Sequence, residues 1–308
     1  MYITEKKGNC IRMKLKLGTN LGFASNRYIE PEIWAKIVGE DMGLYSVQFV
    51  ADLLNPFLPD DYIDAQINRI LNATEEYGIA VDSIFTSTYT RVNHLLSPDK
   101  RAREIWLDWF KKLFMIGRRL GCSTGGSHFG IMTFETYNNN YDFILEEAVK
   151  GWQELSFFAK EQGYESLIFE PMSVPREMGN TVEECEKLMD MVNANCGIPM
   201  KVNLDIGHAP HPDERDPYPW IEKLGAVSPI IHLQQTVLHK SNHWPFTKEF
   251  NNGGLIDGDK FMAALEKSGC EESILMFEIG HREHWDTDNN VIGDLIESAK
   301  YWRRWIQS

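Results

Sequence analysis

No apolar run in the 308 residues approaches the ~20 that a membrane-spanning helix needs. The N-terminal stretch MYITEKKGNCIRMKLKLG has no apolar segment of the kind a secretory signal carries, so no signal peptide is expected. Cysteine is sparse and scattered: Cys10, Cys122, Cys185, Cys196 and Cys270 are odd in number and show no C-x-x-C spacing. That argues against a disulfide framework and for reduced thiols in a cytoplasmic protein. Positive charge is also short, with 31 Lys and Arg against 45 Asp and Glu and a net charge of −14. Such a balance opposes any broad grip on phosphate backbones, so neither nucleic acid nor membrane is an expected partner. The fingerprint G-x-G-x-x-G is missing after the first strand candidate, where GTNLGFAS has the wrong spacing for a dinucleotide fold.

What is present is alternation. Short β-rich runs read as strands: MKLKLGT (13–19), LYSVQFV (44–50), IAVDSIFT (79–86), CSTGGSH (122–128), SLIFE (166–170), MKVNLD (200–205), PIIHLQQ (229–235) and ILMFE (274–278). Two glycines dilute the fourth. Helical patterns lie between them. DAQINRILNATEEYG ends on Gly78, a C-terminal stop. SPDKRAREIWLDWFKKLFMIGRRLG is expected to open with Ser97 as N-cap and Pro98 at the first helical position. Thr181 and Glu184 have the spacing of a capping box. About eight strand–helix units without a dividing linker predict an α/β chain, a single (β/α)8 barrel over 13–308 behind a loose extension at 1–12. Met13 is an alternative start.

In such a barrel the active site gathers at the C-terminal ends of the strands. Those ends carry His128, Glu170, Asp205 with His208 three residues on, His232 and Glu278. Each residue alone has a bland explanation: a carboxylate after a strand is often a helix cap, and a His on an apolar strand is often a hydrogen-bonded core residue. Five successive strands ending this way point instead to a metal or acid/base site. Two Glu, one Asp and one His form an oxygen-rich set suited to Mn²⁺, Mg²⁺, Co²⁺ or Zn²⁺ with open positions.

With these motifs in order, the chain resembles the xylose isomerase-like superfamily of TIM barrels: Glu170-Pro171 after the fifth strand, D-x-x-H at Asp205 and His208, His232 on the seventh, Glu278 on the eighth. The superfamily includes ketose 3-epimerases, sugar-phosphate isomerases, a dehydratase and DNA-repair endonucleases. The resemblance to the epimerase branch implies that Glu170, Asp205, His232 and Glu278 bind one divalent metal, Mn or Mg by preference. It further implies that Glu170 and Glu278 are the acid/base pair and that His208 assists at the substrate oxygens. The chemistry implied is proton removal beside a chelated ketone, a cis-enediolate, and proton return from the far face.

Gln234 and Gln235 stand where relatives commonly have an acid, and Leu238, His239 and Lys240 occupy the region of an Arg found in sugar epimerases. The long loop after the seventh strand holds His239, Lys240, His243 and Lys248, and Arg282 follows the eighth. Phosphate often binds these two loops in TIM barrels, so a phosphorylated ketose is the expected substrate, with His128 and Gln234 as further contacts. The QQT and HWPF stretches resemble the tetrulose-phosphate (erythrulose-phosphate) epimerases. An aldose–ketose isomerase or a dehydratase on the same metal site is the alternative. A repair endonuclease would need further histidines after the second or third strand, where QFVADLL and IFTSTYT offer none. The aromatics Phe85, Tyr89, Trp244 and Trp285 suit a pocket wall or a subunit contact, and a homodimer or homotetramer is the expected assembly.

Overall fold

The computed structural model describes residues 13–86, 90–208, 216–284 and 289–306. The expected extension at 1–12, and Tyr89 and Trp285, lie outside them. Eight strands form: β1 Lys14–Asn20, β2 Ser46–Val50, β3 Ala80–Phe85, β4 Thr124–His128, β5 Ser166–Glu170, β6 Met200–Asp205, β7 Ile230–Leu233 and β8 Glu272–Phe277. They close into one barrel in chain order, and the defined registers are parallel, including β8 back to β1. This is the expected (β/α)8 architecture. Helices alternate with the strands: α1 Pro31–Lys36, α2 Asp60–Tyr77, α3 Lys100–Leu120, α4 Phe134–Asn139, α5 Tyr141–Gln162, α6 Val182–Asn193, α7 Pro217–Leu224, α8 Lys248–Asn251, α9 Gly258–Ser268 and α10 Val291–Trp302. Among the described residues no helix is long and apolar enough to cross a membrane.

By their internal contacts the described residues divide into two compact units, one within 13–47, 77–79 and 203–306, the other within 48–76 and 80–202. β2 is buried along its whole length, as expected of a strand covered on both faces. In the second unit the strand expected at CSTGGSH forms as β4, and one of its glycines has a steric reason. A Cβ on Gly126 would fall 1.6 Å from the Ile168 carbonyl oxygen of β5, so only glycine fits this close backbone approach. Phe110 and Phe114 of α3 pack with Trp152 of α5 and with Phe129 and Phe169 around this half of the sheet, all fully buried. In the first unit Trp302 of α10 meets the edges of Phe246 and Phe261, and Phe246 in turn lies 6.4 Å from Phe277 of β8.

Helix ends follow the sequence with local shifts. Asp99, not Ser97, caps α3 by accepting from the Arg101 N–H, so Pro98 stays outside the helix. The Ser97 hydroxyl accepts from the Asp99 N–H instead, which stabilises the turn leading in. At α6 the Thr181 hydroxyl accepts from the Glu184 N–H as expected, but the Glu184 carboxylate reaches one residue further back, to the Asn180 N–H.

The loop after β7 is braced from within. Gln235 and Trp244 form an antiparallel bridge. The fully buried Gln235 side chain accepts from the Ile256 N–H and donates to the Ile256 carbonyl and to Asn251 Oδ1. One buried amide thereby ties the start of the loop to its end.

Candidate metal centre and its surroundings

Asp205 ends β6, His232 lies one residue inside the end of β7, and Glu278 follows β8 directly. The register sets Asp205 opposite His232, and the Glu278 N–H continues the ladder to the Leu233 carbonyl. Asp205, His232 and Glu278 each offer a ligand atom within 4.8 Å of the others. His232 is fully buried, with Nδ1 3.1 Å from Glu278 Oε2, and the Asn203 amide nitrogen lies 3.2 Å from the ring nitrogens. Burial opposes ionisation of Glu278, yet the adjacent His232 and then His243 outweigh it and hold this carboxyl well below the usual carboxylate range.

Asp205 is held from two sides. Its Oδ1 accepts from the Gly207 N–H at 2.6 Å, and the Gln234 amide donates to Oδ1 and Oδ2 at 3.0 and 2.9 Å. The opposite end of the same amide accepts from the His243 N–H at 2.6 Å. Gln234 therefore cannot be flipped without facing its oxygen to a carboxylate. His208 Nε2 lies 3.8 Å from Asp205 Oδ2, and its ring meets His243 edge-on at 5.5 Å. Asp205, His208 and His243 form a second group whose ligand atoms approach within 4.8 Å.

Does this arrangement suit a divalent cation? Glu278 Oε2 is buried and faces the ring nitrogens of His232 and His243, a carboxylate oxygen beside two nitrogens that can each offer a lone pair to a cation. Two carboxylates and a neutral imidazole are also a donor set that hard or borderline divalent ions favour. The residues fit.

The sequence matches the Xylose isomerase-like TIM barrel family over residues 38–305. The chain belongs to that family. It is 32% identical over 297 residues to the D-erythrulose 1-phosphate 3-epimerase of Brucella abortus (strain 2308), covering 94% of this chain and 96% of that one. A protein of Rhodospirillum rubrum provisionally assigned as a xylose isomerase shares its fold at TM-score 0.85 and 26% identity, over 94% of this chain and 99% of that one. D-psicose 3-epimerase of Clostridium cellulolyticum H10, solved with D-tagatose, matches at TM-score 0.70 and 19% identity, again over 94% and 99%.

In this xylose isomerase-like barrel the other expected site residues fall into different settings. Glu170 is the buried last residue of β5, followed by Pro171. His239, Lys240, Lys248 and Arg282 are exposed. His243 parts company with them: it turns back to Glu278, with Nδ1 3.5 Å from Oε2 and 3.2 Å from the backbone oxygen. His128 is buried at the end of β4, its Nδ1 2.8 Å from Nε2 of His94. Phe85 is buried, and Trp244 is half-buried beside Phe250 at 5.0 Å.

Three neighbours of the site escaped the sequence reading. Asn203 precedes Asp205 by two residues, so strand alternation puts it on the same face, a signal that was available. Ser241, 3.2 Å from His243 Nε2, lies in a loop, and His94 opens a single 3₁₀ turn, where no periodicity points to either.

Proposed function

We propose that the chain is a metal-dependent 3-epimerase of a short-chain ketose phosphate, a tetrulose or pentulose phosphate such as erythrulose phosphate. It is an isomerase, and it acts on a small sugar. One observation carries the reading: Asp205, His232 and Glu278 converge at the strand ends around a buried carboxylate oxygen. The sequence motif, Glu170-Pro171 at the end of β5, adds Glu170 to this set as the fourth ligand. The erythrulose-phosphate epimerase relative supports the substrate class.

Glu170, Asp205, His232 and Glu278 would hold one divalent cation, Mn or Mg by preference. When bound, that cation draws electron density from the substrate ketone, so the proton on the neighbouring carbon becomes acidic. One of Glu170 and Glu278 takes this proton from C3. The other returns a proton to the opposite face of the planar cis-enediolate, which inverts the carbon. Gln234 keeps Asp205 oriented, and His208 hydrogen-bonds a substrate oxygen. The exposed His239, Lys240, Lys248 and Arg282, with His243 behind them, supply the positive charge for a phosphate in the loops after β7 and β8.

Proton NMR in D₂O, with Mn²⁺- or Mg²⁺-loaded protein and a panel of ketoses and ketose phosphates, tests this. Deuterium entering C3 of a tetrulose or pentulose phosphate while its epimer accumulates is the expected result. Exchange at C1 with aldose formation would move the assignment to aldose–ketose isomerisation, and loss of water to dehydration.

A further inference from the structure

His128 Nε2 is buried and, among the described residues, has no hydrogen-bond partner. An orphaned polar atom in a closed environment calls for a cause. Its protonation follows from the neighbours. The Leu95 N–H points at His94 Nδ1 at 2.7 Å, so that nitrogen carries a lone pair. A neutral His94 then bears its hydrogen on Nε2, which lies 2.8 Å from His128 Nδ1. His128 Nδ1 is thus the acceptor, and the single ring hydrogen of a neutral His128 sits on the orphaned Nε2.

Both rings are neutral. Burial, and secondly the Arg91 cation, push His128 down to about 3. Burial and the neighbouring His128 push His94 well below its ordinary value. Arg91 itself is paired with both oxygens of Glu177.

The direction of the free N–H also follows. His94 is walled by Phe110 of α3 and Trp152 of α5, whose rings meet it edge-on at 5.4 and 6.4 Å. The two nitrogens of an imidazole point to nearly opposite sides of the ring, so Nε2 of His128 faces away from these helices. His128 is the register partner of Glu170, and partners on adjacent strands project from the same face. The N–H therefore points to the side of the sheet that the Glu170 carboxylate takes.

The fold goes to some length to hold the pair. His94 has φ +31°, a left-handed conformation costly for a side chain with a Cβ. Gly130, at φ +139°, leaves it room: a Cβ there would lie 3.1 Å from His94 Cε1 and 2.8 Å from Leu96 Cδ1.

We propose that His128, locked by His94 in its Nε2–H tautomer, is a fixed neutral donor to a hydroxyl or carbonyl oxygen of the sugar substrate. This rests on the reading of the chain as a ketose-phosphate epimerase. A donor that does not titrate in the working range orients the substrate without competing with the two glutamates for its proton. It also discriminates: a substrate lacking that oxygen leaves the N–H buried and unpaired.

The test is ¹⁵N-histidine NMR of the metal-loaded enzyme between about pH 5.5 and 8.5, followed by titration with erythrulose phosphate. The expected result is a pyridine-like Nδ1 and a pyrrole-like Nε2 on His128 throughout, with the Nε2–H signal shifting on substrate addition. His128→Gln, which keeps an N–H near the Nε2 position, should hold KM within about threefold, and His128→Asn should raise it about tenfold. A protonated or Nδ1–H His128 overturns the lock. An unmoved Nε2–H under conditions of measured deuterium exchange, or equal KM for the two variants, overturns the donor role. If no ketose phosphate exchanges, the functional reading fails separately. Titration with erythritol then decides the donor alone, by a shift of Nε2–H or by none.

Discussion

Two clusters of imidazoles in this chain have surroundings that give them opposite characters. At the ends of β6 to β8, His232 stands 3.1 Å from a Glu278 carboxylate, and His208 and His243 stand near Asp205. Beyond the end of β3 and at the end of β4, His94 and His128 face each other among aromatic rings, with no carboxylate of the described residues hydrogen-bonded to either. In the first place the rings hold an acid in its ionised form. In the second, burial without a counter-charge keeps both rings neutral. The residue type is the same, and the neighbouring charge decides whether it favours a cation and proton transfer or serves as a passive donor.

The contrast can be broken most severely at the carboxylates. Glu278→Gln or Glu170→Gln should lower kcat by ~10³-fold or more, as expected for loss of a general base, while circular dichroism stays that of the wild type. Near-normal turnover in either would end the two-carboxylate mechanism. Chelation sharpens the same point: EDTA should abolish turnover and leave the ¹⁵N signals of His94 and His128 where they were. A comparable change at both places would erase the distinction.

A smaller effect is expected where the first group is only supported. Gln234→Leu removes the amide that donates to both Asp205 oxygens. Loss of such an orienting partner typically lowers metal affinity or activity by about 10–100-fold. Calorimetric titration with Mn²⁺ beside steady-state kinetics measures this, and unchanged values would reduce Gln234 to a loop brace.

Acid should reveal the second place. A His with its folded value lowered to about 3 stays neutral while the unfolded chain takes up a proton below its ordinary 6.5. Folding stability from this ring is therefore full above 6.5 and declines as the pH falls toward 3, by at most about 1.4 kcal/mol per pH unit. Thermal melts from pH 7 downward should fall, and less steeply for His94→Leu, which removes one of the two buried rings. Equal slopes would mean the pair is not what acid attacks. The smallest change belongs to the exposed loop: Lys240→Ala should raise KM for a ketose phosphate several-fold with kcat nearly intact, as for one exposed charge contact. An unchanged KM takes Lys240 out of phosphate binding.

The architecture was largely legible. Strands β5 and β6 lie within the bounds that SLIFE and MKVNLD mark, because buried β-branched and aromatic runs leave little choice of register. Boundaries moved where side chains compete for the same N–H groups, as Asp99 does with Ser97 at the start of α3. Gly126 reads as a weakness in the sequence and proves to be a requirement of the sheet, since the clash it avoids is with a strand more than forty residues on.

Residue types and their periods, by themselves, set the (β/α)8 alternation and left carboxylates and histidines at successive strand ends, because strand length and crossover length are local properties. Which of those groups meet was decided only in three dimensions. His243 left the basic loop for Glu278 because the Gln235–Trp244 bridge folds the loop back. His94 reached His128 because a strained turn and a glycine admit it. Contacts between segments far apart in the chain depend on packing, and packing is a property of the whole fold rather than of any stretch of its sequence.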